Sequence, residues 1–103
     1  MKYKLVVYVP IKDADLVREA IGSVGGTIGK YSHCSFSSLG VGRFLPLEGA
    51  NPTIGEVGKM EVVEEERIEV TVEEKFLEDV ISAMKKVHPY EEVAYDVYRL
   101  EEI

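Results

Sequence analysis

The sequence predicts an α+β domain: a four-stranded antiparallel sheet with both helices packed on one face. Three observations carry this reading. Four segments alternate apolar and polar residues with period two. Two segments place apolar residues at helical spacing. The order is strand, helix, strand, excursion, strand, helix, strand, which makes two strand-helix-strand halves.

The first strand is expected over residues 2–9. Tyr3, Leu5, Val7 and Val9 form one face, and Lys2, Lys4, Val6 and Tyr8 the other, with Pro10 as the stop. Asp13 is placed to cap a helix over about 14–24, where Val17, Ala20, Ile21 and Val24 form a single stripe. Gly25 and Gly26 end it. A second, polar-rich strand is expected over 28–38, with Ile28, Cys34 and Phe36 on one face and Tyr31, His33, Ser35 and Ser37 on the other. Val41 to Leu45 are expected to pair back on it through a turn at Gly40.

Met60 and Val62 alternate with Glu61 and Val63, and the triplet Glu64-Glu65-Glu66 reads as a solvated turn. A third strand follows with Ile68, Val70 and Val72 on its buried face. A helix over about 74–87 carries Leu77, Val80, Ile81 and Met84, with Lys85 and Lys86 in its last turn. Thr71 and Glu74 suit a capping box only if the third strand ends early. Pro89 stops the helix, and the last strand spans 91–99 with Val93, Tyr95 and Val97 inward. Together these elements describe a ferredoxin-like βαββαβ sandwich in a single domain over residues 1–103. Two helices cover one sheet face only. The other holds Val6, Tyr8 and Tyr98 among polar residues, which predicts self-association.

Between Gly40 and Gly58 the periodicity stops. This stretch holds five glycines and two prolines in nineteen residues. It also carries Phe44, Leu45, Leu47, Ile54 and Val57, too apolar for a disordered linker. A structureless segment this long inside a compact domain is usually functional. The excursion over 40–65 is therefore the expected binding surface for a ligand or a protein partner. Its candidate residues are Gly40, Gly42, Phe44, Pro46, Gly49, Asn51, Pro52 and Gly55, joined by Tyr90 and Glu91 after the second helix. Some of its glycines are expected at positive φ.

Composition narrows the classes. The 103 residues suffice to bury a core, roughly 65% of the unfolded surface, without metal or disulfide. A net charge of −7 argues against nucleic acid and against anionic membranes. The single Cys suits a reducing compartment, and a cytoplasmic location is expected. The first ten residues read as a strand rather than a leader, and no run is long enough to span a bilayer.

No catalytic residue set emerges. Neighbouring strand residues diverge, so Glu91 and Glu92 are not a pair, and Glu92 and Asp96 stand roughly 13 Å apart along the strand. The excursion has neither G-x-G-x-x-G nor the P-loop pattern. His33 and His88 are the candidate metal ligands, with Cys34 third. His33 and Cys34 are expected to point to opposite faces, and two His with one Cys fall short of a closed zinc site. Cys34 reads more simply as a core residue, and His88 as a helix C-terminal imidazole that favours its charged form.

Five motifs in order resemble one known family. G-K-Y-S-H-C-S-F (29–36), G-V-G-R-F-L-P (40–46), G-A-N-P-T-I-G (49–55), E-E-E-R-I-E (64–69) and H-P-Y-E-E-V-A-Y-D-V-Y (88–98) look like the internal domain of the NIF-three-like, dinuclear-metal-centre hexameric proteins. The resemblance implies that insert standing alone, without the metal-binding halves, so no metal ligand is carried over. It further implies a fold similar to the PII and CutA proteins, which are trimers, with the excursion in the place of the PII T-loop. The expected function is thus a small PII/CutA-like binding or regulatory module, oligomeric, with a trimer favoured and no required cofactor. The alternatives are a protein that handles a divalent metal ion in the CutA manner, or an accessory subunit of a metal-dependent hydrolase.

Overall fold

The computed structural model describes residues Met1–Ile103. Strand β1 (Lys2–Pro10) leads through a 3-10 turn (Ile11–Asp13) into helix α1 (Ala14–Gly22). Strands β2 (Phe36–Phe44) and β3 (Glu61–Glu73), helix α2 (Glu74–Val87) and strand β4 (Tyr95–Arg99) follow. The sheet order is β2-β3-β1-β4, antiparallel throughout. This is the expected α+β sandwich.

The core forms where both helical stripes meet one sheet face. Leu5, Val7 and Val9 of β1 and Ile68, Val70 and Val72 of β3 pack with Ala14, Val17, Ile21, Val80 and Met84. Each of these side chains leaves water almost completely, at about 1.5–3 kcal/mol per large residue. Asp13 occupies the N-cap position of α1 without a side-chain cap bond. Thr71 lies inside β3, so no capping box opens α2. After α1, Gly25 N–H donates to Ile21 O, and Gly26 takes φ 76°, a left-handed ending that only glycine adopts freely.

Two expected strands are displaced. Residues 28–35 form turns, with a single bridge between Ile28 and Tyr31. The second strand begins at Phe36 and runs unbroken to Phe44, so Gly40 lies within it rather than in a turn. Phe36 pairs with Glu69 on the face away from the helices and is exposed, not a core residue, and Cys34 is only half-buried. The last strand starts at Tyr95, four residues later than expected.

The acidic triplet is a second correction. Glu64, Glu65 and Glu66 stand mid-strand in β3, and Glu65 and Glu66 are buried. Each has a compensating partner. Arg18 of α1 pairs with Glu66 and also reaches Ser37 at 3.3 Å. Tyr90 O–H donates to Glu65 at 2.7 Å. Continuous strand hydrogen bonding and these partners outweigh the desolvation that would otherwise exclude the carboxylates.

β3 outruns β1. The pairing with β1 ends at Pro10 opposite Glu65, whereas β2 stays paired to β3 as far as Phe44 opposite Glu61. The β2–β3 ladder therefore projects beyond the centre of the sheet, and the molecule measures 46 × 24 × 22 Å. Residues 45–60 connect the projecting ends and fold back.

Candidate functional site: a cleft between the excursion and the segment after α2

The excursion is ordered by its own glycines and by contacts with residues 88–91. Gly49, Gly55 and Gly58 have φ of 95°, 93° and 82°. Gly40 and Gly42, inside β2, do not share this conformation. Gly58 N–H donates to Pro46 O at 2.9 Å, and Ala50 N–H to Leu47 O at 3.0 Å. Thr53 Oγ1 donates to Pro89 O at 2.7 Å. Asn51 N–H donates to the Glu91 carboxylate at 3.2 Å and 3.3 Å.

His88 fixes the other wall. It caps the C-terminus of α2, its N–H bonded to Met84 O at 3.1 Å. Its Nε2 lies 2.7 Å from Tyr8 O, a carbonyl, so Nε2 carries a proton. Its Nδ1 accepts from Tyr90 N–H at 3.1 Å. Both nitrogens are occupied and the neutral ring satisfies both bonds. Burial lowers the pKa below its ordinary 6.5, against the raising effects of the Tyr8 carbonyl, Glu65 and Asp13. Desolvation thus prevails over the helix terminus, contrary to the charged imidazole expected from sequence.

Tyr90 projects from this wall onto the open sheet face. Its ring meets Phe44 edge-on at 5.7 Å and His88 at 5.1 Å. Burial and the hydrogen bond to Glu65 raise its pKa, so the phenol keeps its proton and serves as a donor, not a base. Glu65 lies flat over Gly42, where any Cβ would overlap the carboxylate. Arg67, two residues along the same face, places its guanidinium 5.8 Å from the Tyr8 ring centroid and 3.6 Å from Glu69.

These walls enclose an open cleft of about 1090 Å³. Of the sequence candidates, Gly40, Gly42, Phe44, Pro46, Gly49, Pro52, Tyr90 and Glu91 line it. Asn51 braces it through Glu91, and Gly55 stands apart beside Glu61. Sequence reasoning missed Glu65 and Arg67 as lining residues. The signal was present: the apolar alternation on either side of the acidic triplet continues in phase through it.

His33 is elsewhere. It has φ 56°, packs its ring over Gly22, and places Nε2 3.4 Å from Glu19 and Nδ1 3.0 Å from Ser32. No group of three His, Cys, Asp or Glu converges anywhere in the molecule.

No protein-family model matches the chain. Solved structures do. A Bacillus cereus protein related to NIF3 superposes with a TM-score of 0.85 at 50% identity, over 98% of this chain and 26% of that one. This chain is similar to one segment of the NIF3-related proteins. Curated relatives agree. The "GTP cyclohydrolase 1 type 2 homolog" of Bacillus subtilis is 55% identical over 100 residues, 96% of this chain and 27% of that protein. The Halalkalibacterium halodurans protein of the same name is 56% identical over 99 residues, again 27% of its length. The chain therefore spans about a quarter of the length of the curated relatives it matches. Beyond the NIF3-related proteins the likeness is one of fold. The CutA protein of Archaeoglobus fulgidus superposes with a TM-score of 0.73 at 15% identity, covering 99% of this chain and 86% of its own. Bacillus subtilis GlnK, in a complex with ATP, gives 0.64 at 17%, covering 97% and 83%.

Proposed function

We propose that this chain is a small cytoplasmic binding module that takes a ligand in the cleft beneath its excursion. The observation that carries the reading is the cleft itself. Its size is at the upper end of small-molecule sites, and it combines apolar walls with a few fixed polar groups. The excursion and the segment after α2 come from distant parts of the sequence, yet three hydrogen bonds join them. Such bracing pre-forms a site and lowers the ordering cost of binding.

Metal handling receives less support. His88 offers no free nitrogen, and His33 sits against Glu19 and Ser32 rather than with other ligands. We propose that the module works without a resident metal.

Self-association belongs to the same proposal, with a trimer favoured. β2 is an edge strand of nine residues without Lys or Pro, and Phe36, Leu39 and Val41 stand exposed on it. Soluble proteins rarely leave such an edge uncovered.

A thermal-shift screen against soluble metabolites tests the binding reading, run on the wild type and on Gly42→Val. A ligand at a hundredfold its Kd adds about 2.7 kcal/mol, or about 10 °C and more for a domain of this size. The expected result is a shift in the wild type that the variant loses. Shifts of equal size in both proteins, or none across the screen, contradict the reading.

A further inference from the structure

Four consecutive residues after α2 brace the excursion. Thr53 Oγ1 donates to the carbonyl of Pro89, and Asn51 N–H donates to the Glu91 carboxylate. Tyr90 reaches Glu65 with its hydroxyl and Phe44 with its ring. His88 ties this segment to the sheet: its Nε2–H donates to Tyr8 O at 2.7 Å, and its Nδ1 accepts from Tyr90 N–H at 3.1 Å. The two bonds fix the turn that follows α2, and they coexist in one protonation state only. A neutral imidazole offers one donor and one acceptor, whereas the charged ring offers two donors.

Protonation therefore does more here than add a charge. Nε2 already carries a proton, so the second goes to Nδ1, where it faces the Tyr90 N–H. Two donors then oppose each other and the bond from Tyr90 is lost. The neighbours support the charged ring once it forms. Glu65 faces it from β3 and Asp13 from the 3-10 turn before α1, and both favour the charge that burial opposes. Asp13 Oδ2 is buried with no hydrogen-bond partner, and Lys12 Nζ stands 4.0 Å from it. The Tyr8 carbonyl of β1 accepts from Nε2 in both states. The charged state thus gives up its bond to the segment while two carboxylates meet its charge.

We propose that His88 is a proton-operated latch on the cleft: a proton on Nδ1 releases the backbone of Tyr90, moves residues 89–91 and loosens the excursion that they brace. Neutral His88 holds the cleft in its pre-formed shape, and the charged ring lets it open. The effect on a ligand rests on the cleft being the binding site, as argued above; the latch itself does not.

An NMR titration of the chain without ligand tests it, from about pH 7.5 to about pH 4, a range that spans histidine and the carboxylates. Imidazole nitrogen shifts read the state of His88, and amide shifts read the segment and the excursion. Above the transition His88 is expected as the tautomer protonated on Nε2. The amides of Tyr90, Asn51 and Thr53 should then shift with the same midpoint as the His88 ring, below pH 6.5. Core amides such as those of Val7 and Val17 should stay in place. His33, the other of the two histidines, is an internal control. Its titration should move Ser32 and leave Tyr90 and Asn51 alone. In His88→Gln the shifts of Tyr90, Asn51 and Thr53 with the histidine midpoint should be lost. The proposal is overturned if the ring titrates and those amides do not follow, or if they follow a carboxylate midpoint of about 4.3 instead. It is equally overturned if the ring stays neutral until the core unfolds, or if His88→Gln keeps the same shifts. Should His88→Gln fail to fold, the ring and amide midpoints of the wild type decide alone. Because the titration contains no ligand, its failure leaves the cleft reading intact, and an empty metabolite screen removes the cleft reading without touching the latch.

Discussion

Gly40 and Gly42 stand two residues apart on β2, yet a methyl group would meet different surroundings. At Gly40 nothing lies within 4 Å, whereas at Gly42 the Glu65 carboxylate occupies the space. Gly42→Ala should therefore cost about 1–3 kcal/mol, the usual range for overpacking. Gly40→Ala should be neutral or stabilise by up to about 1 kcal/mol, because the unfolded chain loses freedom. Urea titrations of both variants check this, and equal midpoints would remove the special role given to Gly42. His88 makes a second prediction. Its folded pKa lies below the ordinary 6.5, so the unfolded chain binds the proton more readily. That contribution to stability is complete above pH 6.5 and is lost as the pH falls below it toward the folded value. Glu65, Asp13 and the Tyr8 carbonyl face the ring and oppose the shift without cancelling it. Urea midpoints of the wild type should fall through this window, and His88→Gln should fall less. Parallel curves would show that His88 is not the titrating group.

Among the elements, β3 governs how the cleft is built. It is one strand of thirteen residues, and Glu65–Glu69 are paired on both sides, by β1 and by β2. Amide exchange across Glu65–Glu69 should be among the slowest in the protein, and fast exchange at Glu65 and Glu66 would restore the turn expected from sequence. The excursion depends on Glu91 and Thr53. Glu91→Ala with Thr53→Ala should speed exchange over residues 48–54 while costing only about 1 kcal/mol per lost hydrogen bond. Unchanged exchange there would mean that the loop's own glycines hold it.

The same elements show what was legible in the sequence. Both helices and β1 were, because a stripe such as Val17 and Ile21, or an alternation such as Leu5, Val7 and Val9, faces one core. β2 was not. Its faces are both largely exposed, so Phe36 and Leu39 leave no burial pattern to read. The chance spacing of Ile28, Cys34 and Phe36 imitated one. The carboxylates of Glu65 and Glu66 were misread because Tyr90 and Arg18, which satisfy them, come from remote elements. The cleft's glycines and Tyr90 were found from composition and motif, whereas Glu65 required the register.

At the scale of the whole molecule, the projecting β2–β3 ladder leaves apolar side chains such as Leu39 and Val62 in water. Sedimentation equilibrium at micromolar concentration should show an oligomer, with a trimer expected. A monomer would mean that this edge is left bare in solution. No helix is long and apolar enough to cross a membrane. The proposed binding site is the cleft between the excursion and residues 88–94. The most direct measurement is an amide NMR map of the wild-type protein, saturated with the ligand that gives the largest shift in the metabolite screen. Displaced resonances are expected at Gly42, Phe44, Asn51, Tyr90 and Glu91, with α1 and the outer face of α2 unmoved. Displacements confined to the helices, with the cleft amides unchanged, would contradict it.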